Sequence, residues 1–179
     1  NTRTGQEEDI ACDYVVNAAG SWVGQVANLA GLEVSVKPDR GTLLAFNHRF
    51  TSRIVNRLRP PSDGDIFVPH GSITILGTTS SPAGRPDDTV PQTAEVVALL
   101  KIGEALFEDL SQYRLLRAFA GTRPLYSAGS GAEGRAASRN FVIIDHSREG
   151  LEGLATIVGG KLTTYRLMAQ KVTDVICGR

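Results

Sequence analysis

The chain has little of what most often fixes a protein's chemistry at a glance. Its 179 residues include two cysteines, one methionine, one tryptophan and three histidines. Cys12 and Cys177 stand near opposite ends, with no C-x-x-C and no His/Cys cluster. That excludes a disulfide framework and gives no metal signal, and it fits a reducing compartment. His48, His70 and His146 are scattered without ligand spacing, and each reads as a surface or turn residue. Asp145 and His146, adjacent on a strand, point to opposite faces, which argues against an oriented pair. No apolar run approaches the ~18 residues of a membrane span, and the polar start is unlike a signal peptide. Net charge is absent too: 19 Lys+Arg balance 19 Asp+Glu, so neither nucleic acid nor a charged membrane surface is indicated as a general partner. There is no internal repeat and no low-complexity segment. What remains is ordinary, 41% hydrophobic and 21% charged, enough to bury one core. The opening Asn1-Thr-Arg-Thr-Gly-Gln-Glu-Glu leads straight into a strand-like run and reads as a cut inside a larger protein.

Short strands dominate the pattern. Residues 10–16 read as a buried strand, followed by the small-residue corner Asn17-Ala18-Ala19-Gly20-Ser21-Trp22. Ser21 is placed to cap a short helix with Trp22, Val23, Val26, Ala27 and Ala30 on one face, and Gly31 closes it. Strands are predicted at 33–37, 42–47, 53–58, 66–69 and 73–77, separated by turn clusters, as in an antiparallel meander. After a Pro/Gly/Asp loop, Thr93 is placed to cap a helix that faces Val96, Leu99, Leu100, Gly103 and Phe107 inward. A strand over 115–125 is broken by Gly121-Thr122-Arg123-Pro124, and the last two cover 141–145 and 154–158. Consecutive strands with few helices give an α+β fold built on a mostly antiparallel sheet. Gly129-Ser130-Gly131-Ala132-Glu133-Gly134 matches G-x-G-x-x-G, but it leads into a strand rather than a helix. It therefore reads as a hairpin loop.

The most informative stretch is Val158-Gly159-Gly160-Lys161-Leu162-Thr163-Thr164-Tyr165-Arg166. It joins a strand to an amphipathic helix with Leu162, Tyr165, Met168, Ala169, Val172 and Ile176 on one face. A glycine pair lets backbone approach a ligand closely, and the first amides of a helix are unpaired and partly positive. A cation at that end is disfavoured by ~0.3–1 kcal/mol, a cost that an anionic partner would offset. Spacing alone favours a plain glycine turn with a solvated lysine, since glycine turns are common. Arg123 interrupts an apolar strand, and Arg139 directly precedes another. Together with Lys161 they would form an anion clamp; alternatively they are structural ion pairs at sheet ends.

Taken in order, Asn17-Ala-Ala-Gly-Ser-Trp22, Gly77-Thr-Thr79, Gly121-Thr-Arg-Pro-Leu125, Ser138-Arg139 and Gly159-Gly-Lys-Leu-Thr-Thr-Tyr-Arg166 resemble the FAD-dependent glycerol-3-phosphate dehydrogenases. Asn56-Arg-Leu-Arg-Pro-Pro-Ser-Asp63 and Tyr165-Arg-Leu-Met-Ala169 are most similar to the large catalytic subunit of the anaerobic bacterial type. The resemblance implies closing segments of a glutathione-reductase-like FAD domain at 1–32 and 151–179, around a substrate domain at 33–150. The amino-terminal unit that grips the FAD pyrophosphate is absent from these residues, so the chain alone is expected to be inactive.

By the same resemblance, Ala18, Ala19, Gly20 and Trp22 line the FAD site. Gly159, Gly160, Lys161, Leu162 and Thr163 lie under the isoalloxazine ring, with backbone amides facing its N1/O2 edge. Arg123 and Arg139 hold the phosphate and neighbouring hydroxyls of glycerol 3-phosphate, and Lys161 is the active-site lysine. Lys161 and Arg123 are the catalytic candidates. The implied reaction is hydride transfer from C2 to FAD, giving dihydroxyacetone phosphate, with electrons passing through partner subunits to quinone. The implied location is cytoplasmic, peripheral on the inner face of the cell membrane through those partners, in anaerobic respiration. The chain departs from aerobic relatives at Leu43, where they carry a histidine, so the proton acceptor stays open between Lys161, Arg123 and a residue outside this chain. Two other readings compete: a flavin oxidase of the amino-acid oxidase type, and a non-enzymatic anion-binding domain.

Overall fold

The computed structural model describes residues 3–60, 62–126 and 140–178. In chain order its strands are β1 (Val15–Asn17), β2 (Val36–Phe46), β3 (Val55–Asn56), β4 (Ile66–His70), β5 (Ile73–Gly77), β6 (Ser81–Pro82), β7 (Leu115–Tyr126), β8 (Phe141–Asp145) and β9 (Leu154–Gly159). The helices are α1 (Val23–Leu29), α2 (Thr93–Gly103) and α3 (Tyr165–Ile176). As the strand-rich pattern led us to expect, the fold is α+β with mostly antiparallel pairing.

Two sheets divide the strands. The larger runs β3-β4-β5-β2-β6, with β7 on the other edge of β2. The smaller has the order β1-β9-β8: β1 and β9 are parallel, β8 and β9 antiparallel. β8 thus sits in the sheet with β9, although the expected boundary groups it with residues 33–150. The main core lies between the larger sheet and α2, where Leu44, Phe46, Phe67, Leu76, Leu99 and Leu110 are fully buried. A second cluster, Val23, Ala27, Val34 and Val158, packs α1 onto β9. Among the described residues no helix is long and apolar enough to cross a membrane.

Several local expectations give way to long-range pairing. The strands expected at 33–37 and 42–47 are one strand, β2, and β7 is not broken at Gly121–Pro124. The two run antiparallel with Pro38 opposite Pro124 and Gly41 opposite Gly121. The Pro38 carbonyl accepts from Ala83 N–H at 2.9 Å on the β6 side. The Pro38–Pro124 pair is therefore one in which neither residue needs an N–H toward the other. At the start, β1 covers only Val15–Asn17, because β9 offers partners from Leu154 onward, and Ile10 stays 79% exposed.

Neither expected helix cap holds. Ser21 lies in a 3-10 turn (Gly20–Trp22) and is buried. α2 starts behind Gln92 rather than Thr93, and the Gln92 N–H donates to Glu95 Oε2 at 3.0 Å. This is the reciprocal half of a capping box.

Candidate functional site

The two small-residue corners lie side by side because β1 and β9 are parallel neighbours whose carboxyl ends share one edge. β1 runs into Ala18-Ala19-Gly20, and β9 into Gly159-Gly160-Lys161. The carboxyl ends of parallel strands are where α/β sheets most often receive ligands. A cavity of about 530 Å³ opens there, within the range of ~300–1,000 Å³ usual for small-molecule sites. Ala18 lines it from the first corner, and Gly159, Gly160, Lys161 and Leu162 from the second. Tyr165, Met168, Ala169 and Val172 of α3 form one apolar wall, with Val16, Ile157 and Pro124 opposite. Ala19, Gly20, Trp22 and Thr163 lie outside this lining. Arg123 lies outside it too, although its neighbour Pro124 lines it. Arg139 lies outside the described residues, as does the Gly129–Gly134 motif.

The glycine pair has a steric reason that the motif alone does not reveal. Gly159 and Gly160 sit at φ +81° and +78°, the left-handed region that costs a residue with a Cβ about 1–2 kcal/mol. A Cβ on Gly159 would stand 2.6 Å from the Asn140 carbonyl oxygen, and one on Gly160 would stand 2.5 Å from Met168 Sδ. The chain's own atoms fill this corner, and backbone faces the cavity. Lys161 follows in an extended conformation. Its N–H donates to Thr164 Oγ1 at 3.0 Å, and the Thr164 hydroxyl donates to the Lys161 carbonyl at 2.8 Å. That clamp fixes the 3-10 turn Leu162–Thr164 leading into α3. The Lys161 side chain is exposed and makes no ion pair with the other described residues.

The first corner is wound around Asn17, which is buried. Its Oδ1 accepts from Ala19 N–H at 3.3 Å, and its Nδ2 donates to the Val23 carbonyl at 2.8 Å. The Ser21 hydroxyl, instead of capping α1, donates to the Thr122 carbonyl at 2.9 Å and ties the corner to β7 beside Arg123. Trp22 Nε1 donates to Asp87 Oδ1 at 3.2 Å.

Arg123 is a cross-link. Its Nη1 donates to Asp39 Oδ2 at 2.6 Å, directly across the β2–β7 ladder. Its Nη2 donates to the Thr78 hydroxyl and, at 3.2 Å, to the Thr79 carbonyl. Ser80 Oγ donates to the same Asp39 carboxylate at 2.8 Å. The guanidinium lies over Gly41, where a Cβ would collide with Nη2. The Arg123 side chain keeps 32% of its surface exposed.

On the α2 side, Glu95 gathers Arg40 Nε at 3.2 Å and the hydroxyls of Thr42 at 3.0 Å and Thr79 at 3.1 Å. Burial by itself would raise its carboxyl. Hydrogen bonds from the Gln92 N–H and the Ser81 and Thr42 hydroxyls, with the Arg40 charge, outweigh burial and hold it below its ordinary value.

Sequence reasoning gave Asp39, Gly41 and Glu95 no role and read His146 as a surface or turn residue. The first two fall in a stretch read as a turn between two strands. Glu95 stands three residues after Gln92, the spacing of a capping box, which could have revealed it. His48 and His70 are exposed, as expected. His146 is not a surface residue: it has no exposed area and contacts Glu149 and Thr156. Among the described residues no cluster of His, Cys, Asp or Glu could hold a metal ion.

A family model for FAD dependent oxidoreductases (DAO) matches residues 1–166. The chain is 43% identical to an anaerobic glycerol-3-phosphate dehydrogenase subunit of Escherichia coli K12, over 99% of this chain and 33% of that protein. The counterpart from Haloferax volcanii is also 43% identical, over 97% of this chain and 30% of that one. The chain thus spans about a third of the length of the curated relatives it matches. Among solved structures, glycine oxidase from Geobacillus kaustophilus superposes with a TM-score of 0.70 at 20% identity. That superposition covers 94% of this chain and 42% of the oxidase, and it establishes likeness of fold.

Proposed function

Since the chain belongs to the family of FAD-dependent oxidoreductases, whose model spans residues 1–166, we propose that it forms the substrate-facing section of a glycerol-3-phosphate dehydrogenase subunit. The observation that carries this is the single cavity shared by Ala18 and the Gly159–Leu162 corner. It joins two segments nearly the whole chain apart, both belonging to the pattern that resembles these enzymes. The 43% identity to the anaerobic dehydrogenase subunits over almost all of the chain supports the substrate class.

The cavity fits the ring end of FAD. Its walls are largely apolar, the backbone of Gly159 and Gly160 borders it, and a lysine stands in its lining. Ala18, Ala19, Gly20 and Trp22 would hold the cofactor from one side, and Gly159, Gly160, Lys161, Leu162 and Thr163 from the other. When bound, FAD supplies the hydride acceptor.

The chain's own residues orient the substrate and manage its charge. Lys161, exposed and making no ion pair with other described residues, lines the cavity and would supply an ammonium to the C2 oxygen of glycerol 3-phosphate as its proton leaves. A preorganised cation at a developing alkoxide stabilises the transition state more than the ground state. Arg123 spends three of its five donors on Asp39, Thr78 and Thr79. Its Nε–H and second Nη1–H remain for the substrate phosphate, and Arg139 is the second phosphate ligand. Asp39 then holds the fork in place much as a carboxylate orients a metal-bound histidine.

The reaction yields dihydroxyacetone phosphate, and electrons leave through partner subunits to quinone in anaerobic respiration. The enzyme works in the cytoplasm, at the inner face of the membrane through those partners.

The likeness of fold to glycine oxidase favours a second reading, an amino-acid oxidase whose substrate carries a carboxylate. Steady-state turnover by a full-length protein carrying these residues separates the two. We expect turnover with sn-glycerol 3-phosphate and none with glycine. The reverse preference establishes the second reading, and a full-length protein that binds no flavin establishes an anion-binding domain instead.

A further inference from the structure

His146 is fully buried at the end of β8, at the start of the 3-10 turn His146–Glu149. Its Nδ1 contacts Glu149 Oε2, and its Nε2 lies 2.8 Å from Thr156 Oγ1. Thr156, also fully buried, receives Asn17 Nδ2 at 3.3 Å. Thr156 on β9 is the register partner of Asn17 on β1 and of Ile144 on β8. One row of polar groups therefore crosses the small sheet, from a half-exposed carboxylate to the amide around which the first corner is wound. Buried polar groups are costly unless paired, and among the described residues no buried side-chain nitrogen or oxygen lacks a partner.

Hydrogen-bond polarity in this row runs one way. The Asn17 Nδ2 can only donate, so Thr156 Oγ1 accepts from it. An ionised Glu149 only accepts, so the His146 proton sits on Nδ1. The Nε2 is then an acceptor, and the Thr156 hydroxyl donates to it. A doubly protonated ring would aim a second donor at Thr156 Oγ1, occupy both its lone pairs and turn its hydroxyl hydrogen away from the ring. The neutral Nδ1–H tautomer satisfies every group.

We infer that His146 is a positioning residue: through Thr156 it fixes the Asn17 amide, and with it the Ala18-Ala19-Gly20 corner beside the cavity. The amide's two other bonds, to Ala19 N–H and the Val23 carbonyl, convert a fixed rotamer into a fixed backbone path. For its consequence in cofactor binding, the inference rests on the proposed flavin role of that corner.

The test uses a full-length protein carrying Thr156→Val, which removes the hydroxyl at nearly constant shape, Thr156→Ser, which keeps it, and His146→Gln. Amide exchange over residues 17–23 should quicken roughly 3- to 10-fold in Thr156→Val. Exchange in β4 and β5 should stay at the wild-type rate, and Thr156→Ser should restore protection. The FAD Kd should rise by a similar factor. Nitrogen NMR of wild-type His146 should report the Nδ1–H tautomer. An Nε2–H tautomer overturns the inference, as does unchanged exchange at 17–23 or an equal rise in every element. Local loosening with an unchanged FAD Kd upholds the row and removes the corner from the flavin site.

Discussion

Replacing Gly160 by alanine separates the two reasons this position has no side chain. The backbone there is left-handed at φ +78°, which costs an alanine about 1–2 kcal/mol. The new Cβ would also lie 2.5 Å from Met168 Sδ and 3.0 Å from its Cε, an overpacking worth about 1–3 kcal/mol. Gly160→Ala should therefore lose about 2–5 kcal/mol in urea unfolding, with an unchanged m-value. In a Met168→Ala background the clash with the thioether disappears, leaving Phe141 Cβ at 3.3 Å, and the cost of Gly160→Ala should fall toward about 1–2 kcal/mol. Gly159→Ala should gain no such relief, because its Cβ meets the Asn140 backbone carbonyl at 2.6 Å. Met168 lines the cavity, so the single mutant should also bind FAD more weakly. Additivity of Gly160→Ala and Met168→Ala within about 0.5 kcal/mol would refute the packing account of this corner.

Other outcomes follow from the charged networks and the proposed site. Glu95→Ala should destabilise by about 2–3 kcal/mol, since it takes the acceptor from the buried Thr42 and Thr79 hydroxyls and leaves Arg40 with Asp88, at 2.9 Å, as its remaining carboxylate, as read from denaturant midpoints. Because the Glu95 carboxyl is held below its ordinary value, its contribution is complete above the unfolded value near ~4.3. It is lost as pH falls through the lower folded value, so Glu95→Gln should flatten the acid limb of the stability profile below about pH 4.3; an unaltered limb contradicts the assignment. Arg123→Lys should raise the KM for glycerol 3-phosphate about 10-fold through loss of the fork. An unchanged KM with lower stability would leave Arg123 only its cross-link to Asp39. Lys161→Met should keep FAD affinity near wild type and lower kcat about 100-fold or more, and wild-type turnover would end its role.

How much of this was legible in the sequence depended on the range of the interaction. The strands at 66–70 and 73–77 and the α2 core positions Leu99 and Gly103 follow from local alternation and periodicity. The corner at Asn17–Trp22 and the Gly159-Gly160-Lys161 turn were legible as motifs. β2 was not, because Pro38-Asp39-Arg40-Gly41 has the composition of a turn and becomes strand only by pairing with Gly121–Pro124. Ser21 looked like a cap, but its hydroxyl is taken by Thr122, about a hundred residues away. Strand alternation at Asp145 and His146 said nothing of the partners of His146, Glu149 one turn on and Thr156 on the next strand. The apolar face of α3 was read correctly as a stripe. Of it only Val172 is buried among the described residues, and Leu162 and Tyr165 remain 89% and 68% exposed beside the cavity.

The most direct test of the central claim is anaerobic mixing of sn-glycerol 3-phosphate with a full-length, FAD-loaded protein carrying these residues. The flavin absorbance should bleach with glycerol 3-phosphate, more slowly when C2 carries deuterium, and should not change with glycine. Bleaching by glycine, or none by glycerol 3-phosphate, would contradict the assignment of this cavity and its lysine to glycerol 3-phosphate oxidation.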